Sequence, residues 1–205
     1  MKMSERIMLV GLSLLCVVVF VGGSCNKGDR PVLKVDAEFD PGTASDTAAP
    51  VHEANPGVGQ TFTVLADGDL EEFWIVVTQG ESADDGMIQI TVRPTNMAGE
   101  PDPDPNTSII TPIDVDTSTL PATLVDEYTI FDLTSQPPIE VMAGEELAIV
   151  VDFVSRATSN DANPIARLLG QTGDPYPDGS GSMGESGVGF TNNTNDYFFR
   201  TFVLQ

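Results

Sequence analysis

The feature that most constrains this chain is its hydrophobic period. Past residue 59 the apolar side chains recur at every second position, in short runs cut by Gly, Pro and Asp. No stretch there keeps a helical apolar period with helix caps for three turns. Residues 70–79 (LEEFWIVVTQ) set Phe73, Ile75 and Val77 on one face and Trp74 and Val76 on the other. Residues 87–92 (MIQITV) alternate Ile88, Ile90 and Val92 against Gln89 and Thr91, behind an Asp85-Gly86 turn. Residues 128–133 (YTIFDL) alternate likewise. Residues 146–153 (ELAIVVDF) form an almost unbroken apolar run, as for a central strand covered on both faces. Residues 197–204 (YFFRTFVL) make the last strand, with Phe198, Phe199 and Phe202 assigned to the core. Weaker strand patterns lie at 60–65, 108–113, 139–142, 166–170 and 187–190, and residues 117–127 have room for one helical turn. That makes about nine or ten short strands without intervening helices, which pair antiparallel because parallel pairs need crossovers. The fold class is therefore all-β, a two-sheet antiparallel sandwich of jelly-roll type. A domain of this size buries about 68–70 % of its unfolded surface and needs neither disulfide nor metal to be stable.

The amino end reads as an address. Lys2 and Arg6 precede an apolar run from Ile7 to Val21, then Gly22, Gly23, Ser24 and Cys25. A positive start, an apolar run shorter than the roughly 20 residues that span a bilayer, and small residues make a secretory signal. A cysteine directly after small residues resembles the cleavage box of bacterial lipoproteins. The resemblance implies removal of residues 1–24 and acylation of the Cys25 thiol, so that lipid holds the chain on a membrane. Asn26 follows, which by the same resemblance favours the outer membrane of a Gram-negative cell. Residues 25–58, poor in large apolar side chains, read as a flexible tether with one short strand at Val32–Val35.

Charge excludes one class of partner. Thirty-one acidic residues against nine basic give a net charge of −22. Phosphate binding needs a basic face, so nucleic acid is not expected. Residues 59–205 hold neither histidine nor cysteine. Ser/His/Asp and Cys/His catalysis are thereby excluded from that segment, and the chain reads as a non-enzyme. Paired carboxylates for a small hydrolase stay open as an alternative.

Several segments in order resemble the choice-of-anchor domains of exported bacterial proteins. They are residues 59–64 (GQTFTV) with Leu70, residues 141–150 (VMAGEELAIV), residues 174–180 (DPYPDGS) and residues 199–203 (FRTFV). The resemblance covers residues 59–205. It implies a β-sandwich held on the cell envelope by a sorting tail or a lipid anchor.

Two sites are expected from residue chemistry. A glycan site needs a ring to stack on a sugar face, with amide and charged groups beside it. Tyr176, in a Pro/Gly/Asp loop, is the candidate ring, with Arg167, Asn192 and Asn193 as hydrogen-bonding partners, while Trp74 and Tyr128 are assigned to the core. A calcium ion wants six to eight oxygens. Asp102 and Asp104 in the EPDPDPN loop, and Asp174 and Asp178 around Tyr176, are candidate ligands, with no cofactor required for folding. Arg200 interrupts an apolar strand and is expected to pair with Asp152 or Asp132. His52 is expected in solvent. The functional expectation is a membrane-anchored binding module for glycan; the alternative is an envelope component working through protein contacts.

Overall fold

The computed structural model describes residues 31–40, 42–80, 86–122, 126–156 and 163–205. The expected leader, Cys25 and Asn26 lie outside them. The β-branched and aromatic runs form strands, paired antiparallel throughout. One sheet runs β1 (Leu33–Phe39), β15 (Phe199–Leu204), β4 (Gly68–Ile75) and β8 (Thr129–Asp132), with β9 (Glu140–Val141) also on β4. The second runs β13 (Gly189–Asn192), β12 (Gly181–Glu185), β3 (Gly57–Thr63), β10 (Glu146–Arg156), β6 (Gly86–Pro94) and β7 (Ile113–Asp116). The third runs β14 (Asn195–Tyr197), β11 (Ala166–Thr172) and β2 (Thr47–Val51), with β5 (Val77–Gln79) also on β11. The helical content among the described residues is two single 3₁₀ turns, at Pro105–Thr107 and Thr117–Thr119.

The first and third sheets meet at a three-way junction. β4 runs into β5 across Val76, and β14 into β15 across Phe198. Val76 N donates to Phe198 O (3.3 Å), Phe198 N to Leu169 O (3.0 Å) and Leu169 N to Val76 O (2.9 Å). The two strands part here and run to opposite ends of β11, β5 along Ala166–Leu168 and β14 along Gly170–Thr172. All three backbones stay paired, so the break costs no unsatisfied polar group. It also explains why two sequence runs each yield two strands; these splits, with β1, β2 and β12, bring the expected nine or ten to fifteen among the described residues.

The core lies between the second sheet and the other two. Ile88, Ile90, Val92, Leu147, Ile149 and Val151 meet Phe73, Ile75, Phe199, Val203 and Leu168, all at most 1 % exposed. Each such side chain contributes about 1.5–3 kcal/mol through burial. β10 is covered on both faces, as its unbroken apolar run implies. Its other face, Ala148 and Val150, packs on Phe190. The 95–112 loop is tied over that face: Arg93 Nη1 reaches Asp102 O (3.4 Å), Gly187 N donates to Pro103 O (2.6 Å) and Asn192 Nδ2 to Gly99 O (3.3 Å).

The expected tether is largely sandwich. β1 is an edge strand on β15, and β2 lies on β11 from Thr47↔Gly170 to Val51↔Ala166. Among the described residues the fold thus reaches back to Leu33, well before residue 59. β2 (TAAPV) carries no alternating large side chains, and its Pro50 sits on a sheet edge, where a missing N–H is tolerated. The strand expected at 108–113 lies instead at Ile113–Asp116, because Ser108 and Ile109 fold back onto Val92 O.

Three buried aspartates make stability depend on pH. Burial raises the carboxyl pKa of Asp36, Asp152 and Asp196 more than their hydrogen bonds and, for Asp152, the Arg93 charge lower it. Each binds its proton more tightly folded than unfolded, so this stability is present below the ordinary aspartate range and is lost as pH rises through the raised values. Exposed Asp116 and Asp132 are held below the usual range by Ser118 and Thr134, and their contribution is lost only in stronger acid. Protonation also relieves self-repulsion in so acidic a chain. Thermal melts are expected to show the midpoint rising as pH falls through the raised aspartate values, against the opposite pull of His52, whose pKa is lowered; a midpoint that only falls with acid contradicts the assignment.

Candidate functional site

Alternation along the first sheet decides which side chains face solvent. Val203 and Phe199 of β15 point into the core, so Arg200, Phe202 and Leu204 point outward. Residues directly opposite share a face. Arg200 therefore stands beside Trp74 and Glu38, Phe202 beside Glu72 and Val35, and Trp74 beside Ile130. A bulge between Val35 and Glu38 keeps both outward while Asp36 and Ala37 turn in.

The outcome is an aromatic row on the open side of the sandwich. Trp74 lies 4.7 Å from Phe202 and 5.8 Å from Tyr128, measured between ring centroids. All three rings are partly exposed. Ile130 (55 % exposed), Val35 (46 %) and Leu33 (45 %) extend the apolar surface on both sides. Arg200 crosses the row, its Cζ 5.5 Å from the Trp74 centroid and 5.0 Å from that of Tyr128. Its Nη2 donates to Asp40 Oδ2 at 2.6 Å, and its Nε lies 3.0 Å from Glu38 Oε2. The Trp74 indole N–H donates to the Glu72 carboxylate. Burial, with the Asp40 carboxylate second, lifts the Tyr128 hydroxyl far above the usual phenol range. Beside Tyr128, a cleft of about 340 Å³ opens between Asp40 and Asp126.

This assembly differs from the one expected. Trp74 and Phe202 belong to the outer face and not to the core, while Tyr128 packs against the core and beside Trp74 at once. Tyr176, the expected exposed ring, is 7 % exposed. Its backbone N–H donates to Asp196 Oδ2 (2.8 Å), which turns the Pro-Tyr-Pro loop inward. The ring then packs 6.0 Å from Phe39 and edge-on, 5.2 Å, to Phe199. Burial, helped by Asp178, pushes its hydroxyl up to about 12. Arg200 pairs with Glu38 and Asp40, not with Asp152 or Asp132, because β1 is its neighbour. Asp152 instead takes Arg93 on the second sheet.

The other expected site residues are dispersed. Asn192 and Asp178 share a polar cleft of about 370 Å³ with Thr61, Thr63, Glu146 and Ser180. Asn193 donates to the Tyr197 hydroxyl (3.1 Å) and accepts from Asn195 N (2.8 Å), a structural clamp. Arg167 stands on β11 opposite Pro50 and Thr78. The candidate calcium ligands fall in two separate loops. Asp102 Oδ1 accepts from Asp104 N, and Asp104 Oδ1 from Asn106 N, so each spends an oxygen on its own turn. Asp174 adopts the left-handed conformation (φ 54°), and Asp178 gives its carbonyl to Thr63 Oγ1. Among the described residues no three His, Cys, Asp or Glu side chains are grouped to hold a metal.

His52 falls inside the sandwich once the fold reaches back to Leu33, so the absence of histidine no longer excludes a catalytic triad by itself. Its Nδ1 accepts from Ala54 N (3.3 Å), and burial with nearby Arg156 and Arg167 lowers its pKa. It is joined to a turn amide, not to a nucleophile.

No protein-family model matches the chain, and a search of curated proteins returns no match.

Proposed function

We propose that this chain is an exported lipoprotein whose β-sandwich is a non-catalytic glycan-binding module, with the Trp74–Tyr128–Phe202 face as its binding surface. One observation carries the reading: three aromatic rings stand in a row on the solvent side of a sheet, rimmed by carboxylates. Rings supply the apolar area that packs on sugar faces, and carboxylates accept hydrogen bonds from hydroxyls. Strands β4 and β15 hold Trp74 and Phe202, and Tyr128 stands immediately before β8.

Trp74→Ala is expected to weaken glycan binding on an array by about tenfold or more, as truncation at the centre of a contact does. The ring is half in solvent, so the melting midpoint should move by only about 4 °C or less. Unchanged binding, or none to any sugar by the parent, removes the reading. A protein partner is the second reading, favoured by the edge of β1, unpaired among the described residues, beside exposed Leu33 and Val35. The anchor rests on Cys25. Mass spectrometry of the purified protein should find residue 25 first and carrying diacylglycerol; an unmodified thiol or another cleavage point rejects it.

A further inference from the structure

The rim around the aromatic row has a one-sided hydrogen-bond vocabulary. Its one cation is tied to carboxylates of the protein. Arg200 gives Nη2 to Asp40 and lies 3.0 Å from Glu38 through Nε, the Trp74 indole N–H goes to Glu72, and the Tyr128 hydroxyl is buried. The carboxylates keep free oxygens. Asp132 uses Oδ1 for both the amide and the hydroxyl of Thr134. Glu72 and Asp132 are directly opposed across β4 and β8, two like charges on one face. Asp69 stands opposite Leu204 on the same face. Among the described residues Arg200 thus faces six carboxylates: Glu38, Asp40, Asp69, Glu72, Asp132 and Glu140, the last opposite Asp69.

From this complement, and resting on the glycan reading above, we infer that the face takes glycans that bring donors and no anionic group, and holds an amine-bearing glycan more tightly than its neutral counterpart. A hydroxyl or ammonium finds free carboxylate oxygens there. A uronate or sulfate group brings negative charge to a rim whose one cation is already held by Glu38 and Asp40, which costs desolvation on both sides and meets repulsion from the other carboxylates. An ammonium placed near Glu72 and Asp132 also relieves their mutual repulsion, and this part of the affinity weakens as salt is added.

The test compares three soluble oligomers of equal length on the full chain at low salt: hexaglucosamine with its amines protonated, the fully N-acetylated hexamer, and hexagalacturonate. The amine form is expected to bind about threefold or more tightly than the acetylated form, and hexagalacturonate not to bind. Trp74→Ala should lose both neutral and amine binding. Glu72→Gln, which keeps an oxygen for the indole, should narrow the gap between them. Hexagalacturonate binding through Trp74 as tightly as the amine overturns the charge inference and leaves the glycan reading standing. Amine binding that survives Trp74→Ala places the contact elsewhere on the acidic surface and overturns the inference. Failure of all three oligomers to bind removes the glycan reading, and the inference with it.

Discussion

Arg93→Met will cost about 3–5 kcal/mol of folding free energy at neutral pH, the loss typical when one partner of a buried ion pair is removed. Arg93 is fully buried. Its guanidinium pairs with the Asp152 carboxylate, donates through Nε to Thr91 Oγ1 (2.8 Å) and through Nη1 to Ser186 Oγ (2.8 Å). Ser186 in turn donates to Asp152 Oδ1 (2.7 Å). Removal of the cation leaves an aspartate, 8 % exposed, with a hydroxyl as its remaining partner. Burial already raises this carboxyl above its ordinary value, and without Arg93 only the Ser186 hydroxyl opposes that. The variant should therefore recover part of the loss as pH falls and Asp152 takes a proton. Urea unfolding at two pH values measures both effects. A loss under about 1 kcal/mol, or one independent of pH, shows that the pair does not hold the outer face of the second sheet.

Gly179→Ala will destabilise by about 3 kcal/mol or more, by overpacking against backbone. A Cβ there would sit 1.9 Å from Thr61 O and 2.8 Å from Tyr176 Cε1. Neither is the free end of a flexible side chain. Thr61 O belongs to β3, and Tyr176 is wedged between Phe39 and Phe199. Gly99→Ala makes the contrast. Gly99 has a left-handed φ of 72° with open space around its Cβ direction, so the substitution costs only the conformational preference, about 1 kcal/mol. Equal losses in the two variants would contradict the close approach of the Pro-Tyr-Pro loop to β3.

Much of the fold is legible because burial and period agree. β6 and β10 are rich in β-branched residues, and their alternating or unbroken apolar patterns match the faces they bury. β2 (TAAPV) and β12 (GSMGE) are not legible. Small residues there let other elements approach: Gly184 leaves room for Phe190, and Gly181 for Tyr197. Strand formation at those places is decided by tertiary neighbours, not by propensity. The junction at Val76 and Phe198 is hidden for the opposite reason. Both residues are buried like those on either side, so period gives no sign of a break.

The site was half legible. Trp74 alternates with Glu72, and Phe202 with Arg200, which places each ring on a polar face; ring size alone suggested core. Tyr176 was misplaced because its burial depends on Asp196, which comes later in the chain and is itself fully buried among Gln60, Gly181 and Tyr176. No local pattern reports that capture.

The pairing of Val32 with Gln205, N–H to carbonyl in both directions at 2.9 and 3.2 Å, sets the two extremities of the sandwich side by side. A few residues would bridge them, and the tip at Met97, which stands wholly in solvent, offers a place to cut. A circularly permuted gene would then encode the same sheets in a new order, with the aromatic row undisturbed.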